Sequence, residues 1–337
     1  MRNWVASSGF EFRRNVRIKV ATKAIIVIFL AMLSSILIAG NVAAQTNVAA
    51  CGIISSPGYY VLTQDLTNST TCIRITSSDV IFDGQGYTIT GPGVGGYSGI
   101  YVYNSSVTLT NVTVKNVIVT GWFSGVRYEN TRYGRVENNT ASSNTWGINL
   151  KSSDDSMVVN NIAASNTIGI YSVSSTDNTV LSENNLSSNS YGIWIATSRN
   201  VTVINNTANS NAESGIRIST TTDSLVKGNS LDSNDYGIYI DSDSGSAHNN
   251  TVRKNIVTNS VITGIYLYDV DVDVIYNNTI SDNIIDMGGA SYGIHLQGDS
   301  YELYNNLIKN NTIKNAVTGI YLGSNYVHDN TIIENTI

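Results

Sequence analysis

The strongest constraint in this sequence is a Gly-Ile dipeptide, once Gly-Val, that recurs at intervals of 22 to 29 residues. A period of this length is typical of solenoids, in which each repeat forms one coil stacked on the next. After each dipeptide, apolar and polar residues alternate, which predicts a β-strand. The glycines of the dipeptides are Gly99, Gly125, Gly147, Gly169, Gly192, Gly215, Gly237, Gly264, Gly293 and Gly319.

The alternating runs last only about three to five residues before polar turns, so they are too short for the helices of a leucine-rich repeat. We therefore predict an all-β protein, a right-handed parallel β-helix (solenoid) of about 10–11 coils with three short strands per coil. The second residue after the dipeptide's Ile is expected to point into the core. Examples of this inward position are Leu150, Ile195, Ile218, Ile240, Leu267, Leu296 and Leu322.

Asparagine recurs at fixed places between the dipeptides, and Asn is favoured in turns because it tolerates left-handed backbone. Stacked amides can also donate to and accept from one another, so we predict Asn ladders. The later coils are longer and gain a further Asn series. Two residues before that series lies a column of rings, which favours a surface stack over a metal site: His248, Tyr276, Tyr304 and His328.

Residues 1–44 differ from the repeats. They hold a basic stretch, an apolar run at 24–39 and the small residues Val42-Ala43-Ala44. This pattern predicts a signal peptide and hence a secreted or cell-surface protein. The alternative is an uncleaved anchor, which would be the only membrane contact that we expect.

Without residues 1–44 the chain holds 13 basic and 24 acidic residues, a net charge of −11. This acidity argues against nucleic acid as a partner. The two cysteines, Cys51 and Cys72, predict a disulfide in an exported protein. A free-thiol or metal role is less favoured because no histidine or further cysteine is close in sequence.

Three segments carry a resemblance to a known group: Cys51-Gly-Ile-Ile, Cys72-Ile-Arg-Ile, and Val80 through Gly91. Together with repeated Asn-Asn-Thr-Ile and Gly-Ile-Tyr-Leu phrases, they resemble archaeal and bacterial surface β-helix proteins of the NosD-like and CASH-domain families, in the pectate-lyase-like superfamily. The resemblance covers about residues 51–337. It implies an N-terminal cap at 45–75, stapled by the disulfide, over a β-helix at 76–337. Copper binding is not carried over, because copper sites need clustered His, Cys or Met.

The residue directly after each Gly-Ile is expected to face outward, and we call this series the outward column. Its aromatic and basic residues suit the binding of sugar rings, and more aromatics precede the glycines at Trp146, Tyr191, Tyr236 and Tyr292. The alternative is structural stacking, since aromatics favour strands. The candidate carbohydrate-binding residues are Tyr171, Trp194, Arg217, Tyr239, Tyr266, His295 and Tyr321.

Acidic residues follow these strands in the longer coils. Stacked carboxylates repel one another, and Ca²⁺ would relieve that repulsion, although Asp is also a common turn residue. Calcium is the only cofactor that we consider, with solvated turns as the alternative. The candidate ligands are Asp241, Asp243, Asp269 and Asp271.

The sequence favours a non-catalytic, carbohydrate-binding or structural envelope protein. One alternative is a polysaccharide lyase or hydrolase acting on an acidic polysaccharide, and another is a NosD-like periplasmic accessory protein. No catalytic residue is assigned. Asn-X-Ser/Thr sequons such as Asn68 and Asn104 predict glycosylation. The sequence stops in mid-coil at Ile337, so either the chain is a fragment of a longer rod or its last coil is an open edge, at which we expect end-to-end self-association.

Overall fold

A computed structural model describes residues 45–337 except 94, 175, 270–272, 290–291 and 300. The predicted signal peptide, residues 1–44, lies outside the described residues. The described part forms a right-handed parallel β-helix of about twelve coils, which confirms the predicted fold class. Every assigned element in it is a strand, and within these ranges there is no helix long and apolar enough to cross a membrane.

Sheet 1 runs the length of the described coils. Its strands are short because the chain turns a corner after each one, and each pairs in parallel with the equivalent strand of the next coil. The strands, in spatial order, are Thr46–Val48, Gly58–Leu62, Val80–Asp83, Thr113–Lys115, Arg135–Glu137, Met157–Val159, Val180–Ser182, Thr202–Ile204, Leu225–Lys227, Thr251–Arg253, Thr279–Ser281, Leu307–Lys309 and Thr331–Ile333.

Sheet 2 contains the Gly-Ile dipeptides and has the longest strands. Leu109–Thr110 pairs beside Ser124–Arg132, off the main order. The other strands, in spatial order, are Gly52–Ile54, Ile73–Ile75, Ser98–Val102, Ser124–Arg132, Trp146–Asp154, Ile168–Val173, Tyr191–Ala196, Ser214–Ser219, Tyr236–Asp241, Thr263–Tyr268, Tyr292–Gln297 and Thr318–Leu322.

Sheet 3 closes each coil between sheets 1 and 2. Its two four-stranded parts are joined through the middle coils by isolated bridges that include Ile162, Asn185 and Thr207. Its strands are Leu66–Thr67, Thr88–Thr90, Ile118–Thr120, Thr140–Ala141, Ser230–Asp232, Ile256–Thr258, Ile284–Asp286 and Thr312–Lys314.

Sheet 4 is confined to the longer, later coils and consists of Ala247–His248, Ile275–Tyr276, Leu303–Tyr304 and Val327–His328. Its outward rings stack in register, with centroids 4.6 Å apart for His248 and Tyr276, and 5.4 Å apart for Tyr276 and Tyr304. The ring stack predicted for this column is therefore confirmed.

The core is a file of aliphatic side chains in the centre of the coils. The Ile or Val of the dipeptides is fully buried from Ile100 to Ile294. The predicted inward residues are buried too, except Leu322, which is 44% exposed because its strand has a neighbour on one side only.

Three Asn series form the predicted ladders inside the turns: Asn139 to Asn335, Asn144 to Asn234, and Asn250 to Asn330. In the longest one, from Asn139 to Asn335, each side-chain amide donates to the side-chain oxygen of the Asn one coil on, as Asn184 does to Asn206 over 2.9 Å. The expected reason was partly wrong, however. The left-handed backbone belongs to the residue before each ladder Asn, such as Asn205 with φ of 55°. The ladder Asn turns inward instead and is buried.

The N-terminal segment predicted as a cap pairs in parallel with the coils that follow it. Gly52–Ile54 is the edge strand of sheet 2 and lies against Ile73–Ile75. The Cys51–Cys72 disulfide, which the sequence predicted, is formed and joins these neighbouring strands.

Candidate functional site

The outward column is a continuous ladder on sheet 2. Each member pairs with the member one coil away, as Tyr171 does with Trp194, Trp194 with Arg217, and Arg217 with Tyr239. The pairing continues through Tyr266 and His295 to Tyr321. Parallel pairing places these side chains about 4.8 Å apart along the rod. All seven candidate carbohydrate-binding residues therefore lie in one file.

The rings of this file contact one another. Ring centroids are 5.4 Å apart for Tyr171 and Trp194 and 5.2 Å apart for Tyr239 and Tyr266. His295 lies 4.8 Å from Tyr266 and 5.0 Å from Tyr321. The side chains from Tyr171 to His295 are half-buried and Tyr321 is exposed. With these ring contacts, the predicted structural stacking is present.

A second file flanks the first, at the position before each glycine. Large rings at Trp146, Tyr191, Tyr236 and Tyr292 alternate, coil by coil, with smaller residues such as Ser214 and Thr263. Tyr236, for example, lies 5.4 Å from Tyr266 and covers the gap beside it. The two files together make a surface two rings wide, which we call the ring-lined face. The large–small alternation was visible in the sequence, but its packing role was not recognised there.

Arg217 is the charged centre of the ring-lined face. Its guanidinium carbon lies 4.4 Å from the centroid of the Trp194 ring and 5.3 Å from that of Tyr239. Its Nε donates to Oδ2 of Asp241 over 2.6 Å. A cation held between aromatic faces gains from their quadrupoles, so Arg217 continues the ring series across the one coil of this part that lacks an aromatic in the outward column.

Asp241 is fully buried beneath this cation. Burial raises the pKa of the Asp241 carboxyl, and the charge and hydrogen bond of Arg217 offset part of that rise. Burial also raises the pKa of the Tyr239 hydroxyl. The sequence suggested Asp241 as a calcium ligand and missed this ion pair, although the 22-residue coil places Asp241 beside Ser219, two residues after Arg217.

A second charged cluster lies at the N-terminal end of sheet 2. Glu129 accepts hydrogen bonds from Tyr101 over 2.5 Å, from Arg127 over 2.6 Å and from Lys151 over 3.1 Å. Burial would raise the pKa of Glu129, but these three partners outweigh it and hold the pKa below its usual value. The cluster holds two cations against one carboxylate, and Tyr101 and Arg127 belong to the outward column, beyond the rings.

The suggested calcium ligands do not converge in the described residues. Asp243 is exposed, and the buried Asp269 accepts the backbone N–H of Tyr301 over 2.7 Å. Asp271 lies outside the described residues. Within the described ranges no cluster of three or more His, Cys, Asp or Glu side chains is placed to hold a metal ion. Calcium binding stays an untested prediction.

Comparison with known proteins supports the architecture. A model of the family described as periplasmic copper-binding protein (NosD) matches residues 41–246 and 207–337. The two matches overlap, as repeated coils allow. No functionally curated protein matches the sequence.

Several solved structures of similar fold are those of enzymes named after the polysaccharide on which they act. The A-module of a mannuronan C-5 epimerase from Azotobacter vinelandii has a TM-score of 0.65 at 16% identity, over 86% of this chain and 89% of that chain. An α-1,3-glucanase from Streptomyces thermodiastaticus has a TM-score of 0.67 at 15% identity, over 87% and 61%. An alginate lyase from Paenibacillus has a TM-score of 0.52 at 16% identity, over 82% and 99%. At these identities the likeness shows the fold alone.

The copper named in the family description can be tested against the donors present. Cys51 and Cys72 are joined in a disulfide, so neither offers a thiolate. Of the described histidines, His248 and His328 stack on tyrosines and are separated by two coils of the ring column, while His295 lies on a different sheet. Copper sites need several soft or imidazole donors together. The described residues do not fit such a site.

Proposed function

The chain belongs to the NosD family of parallel β-helix proteins, and we propose that it is a non-catalytic, extracytoplasmic protein that binds a polysaccharide along its ring-lined face. The observation that carries this proposal is the unbroken contact series from Tyr171 to Tyr321, aligned with the axis of the rod. A long ligand of repeating units suits a long surface of repeating units.

The chemistry of the face suits sugars. The C–H faces of a pyranose stack on aromatic rings, and its hydroxyls need hydrogen-bond partners. The ring-lined face offers partly exposed aromatic side chains, with the Arg217 guanidinium among them and the hydroxyl groups of its half-buried tyrosines as hydrogen-bond partners. The rise of about 4.8 Å per coil is close to the length of one sugar residue in an extended chain.

The comparisons support the same ligand class. The three similar structures are those of a mannuronan epimerase, an α-1,3-glucanase and an alginate lyase, and the substrates in these names are all polysaccharides. A shared fold alone does not transfer an activity, so the proposal depends on the ring-lined face of this chain.

The location follows from the family and from the disulfide. The family description is periplasmic, and the Cys51–Cys72 disulfide is consistent with an oxidising, extracytoplasmic compartment. Within that compartment we propose a cell-envelope polysaccharide as the partner.

A glycan array tests the proposal. Trp194→Ala and Tyr239→Ala each remove one ring beside Arg217, so both should lower the glycan signal at least tenfold. Tyr276→Ala removes a ring from the stack of sheet 4, away from the ring-lined face, and should leave the signal unchanged. An equal loss in all three variants, or no glycan signal for the native protein, would overturn the proposal.

The same preparation also tests the enzymatic alternative. Incubation with uronate polymers should give no unsaturated product, with or without Ca²⁺. Sustained release of such products by the native protein would show that it is a lyase and would overturn the assignment as non-catalytic.

A further inference from the structure

The outward face of sheet 1 carries a second ordered set of charges, away from the ring-lined face. The third positions of successive strands pair in register, so that Lys227 lies beside Arg253, Arg253 beside Ser281, and Ser281 beside Lys309. We call Lys227, Arg253 and Lys309 the basic stripe. At about 4.8 Å per coil it spans about 14 Å along the rod.

The same column is neutralised in the earlier coils. Lys115 pairs with Asp83 over 3.5 Å, and Glu137 pairs with Arg135 over 2.5 Å. Each cation there has its own carboxylate, so that part of sheet 1 has no net attraction for an anion.

The basic stripe lacks such partners. In the described part of the chain, no carboxylate lies within ion-pairing distance of Lys227, Arg253 or Lys309. The Nε of Arg253 is sealed from solvent and has no hydrogen-bond partner. Like charges directly opposite on neighbouring strands repel, and acids outnumber bases in this chain, 25 to 19. An anion bound from outside the chain would relieve the repulsion between these unpaired cations.

We propose that the basic stripe binds the carboxylates of an acidic polysaccharide that runs along sheet 1. Carboxylates repeated on successive sugars would match cations repeated on successive coils. Thr251 and Thr279, in register in the neighbouring column, add hydroxyls that can bond to the sugar. The stripe lies on a different sheet from the ring-lined face, so it is a second site and does not depend on the first.

Binding of oligogalacturonate, measured by calorimetry at low and high salt, tests this second site. The triple variant Lys227→Gln, Arg253→Gln, Lys309→Gln should bind at least tenfold more weakly than the native protein. Native binding should weaken as salt screens the charges. A neutral dextran of similar length should show no difference between the native protein and the triple variant.

A matched control removes three cations elsewhere, with Arg132→Gln, Arg199→Gln and Lys314→Gln. It changes the net charge equally and should retain native affinity for oligogalacturonate. The stripe variant should melt no lower than the native protein, because it loses a repulsion and no ion pair. Native-like affinity in the stripe variant, or an equal loss in the control, would overturn this inference. Trp194→Ala should not change the salt-dependent part of oligogalacturonate binding. A failure of the glycan-binding proposal for the ring-lined face would therefore be distinguishable from a failure of the basic stripe.

Discussion

Asn184 illustrates how one residue type holds the coils in register. Its Nδ2 donates to the Val158 carbonyl over 3.0 Å and to Oδ1 of Asn206 over 2.9 Å, while its own Oδ1 accepts from the backbone and side chain of Asn161. Asn184→Ala would leave these buried groups without partners and should lower the free energy of unfolding by about 3 kcal/mol. Urea denaturation followed by circular dichroism measures this.

The adjacent residue provides the control for that substitution. Asn185 is exposed, and its side-chain oxygen accepts only the Ser187 hydroxyl over 2.8 Å. Asn185→Ala should change the free energy of unfolding by less than about 0.5 kcal/mol. Similar losses for the two variants would contradict a special role for the ladder.

His295 is the residue of the ring-lined face that titrates nearest neutral pH. It is enclosed by Tyr266, Tyr292 and Tyr321, and burial lowers its pKa below the usual 6.5, with an opposing effect from Gln297. Because the folded pKa is the lower one, protonation favours unfolding. Stability is therefore complete above about pH 6.5 and is lost as the pH falls through the folded value.

We expect the NMR titration of His295 to have its midpoint below 6.5. His295→Phe keeps a ring in the stack and should remove this part of the pH dependence of stability. A midpoint at or above 6.5, or an unchanged pH dependence in His295→Phe, would contradict the assignment.

At the scale of the strand, the sequence predicted correctly which side chains face the core and which face outward. The Gly-Ile period places Ile193 and Ile195 in the core and Trp194 outside, because a strand alternates its faces. It could not predict the Arg217–Asp241 pair, which joins residues on neighbouring coils and depends on the register between them. Nor did it show that the middle coils reduce sheet 3 to single bridges, because a strand signal that short cannot be told from a turn.

The Gly-Ile dipeptides need glycine because neighbouring strands of sheet 2 leave no room for a side chain at that position. A Cβ on Gly192 would lie 2.4 Å from the carbonyl oxygen of Gly215 and 2.9 Å from the Cβ of Ala208. Neither neighbour can move freely, since one is backbone and the other is packed in the core. Gly192→Ala should therefore destabilise the protein by about 3 kcal/mol. Gly96→Ala, where the added Cβ meets nothing within 4 Å, is the control and should be nearly neutral. Equal melting temperatures for the two variants would show that the coils can separate to admit a side chain.

At the scale of the whole rod, the charges and rings are distributed by sheet. Sheet 2 carries the ring-lined face and sheet 1 carries the basic stripe. A solenoid permits this because each coil contacts only its neighbours, so a residue type repeated at one position becomes a surface. The two proposed sites arise from the same register that the Asn ladders fix.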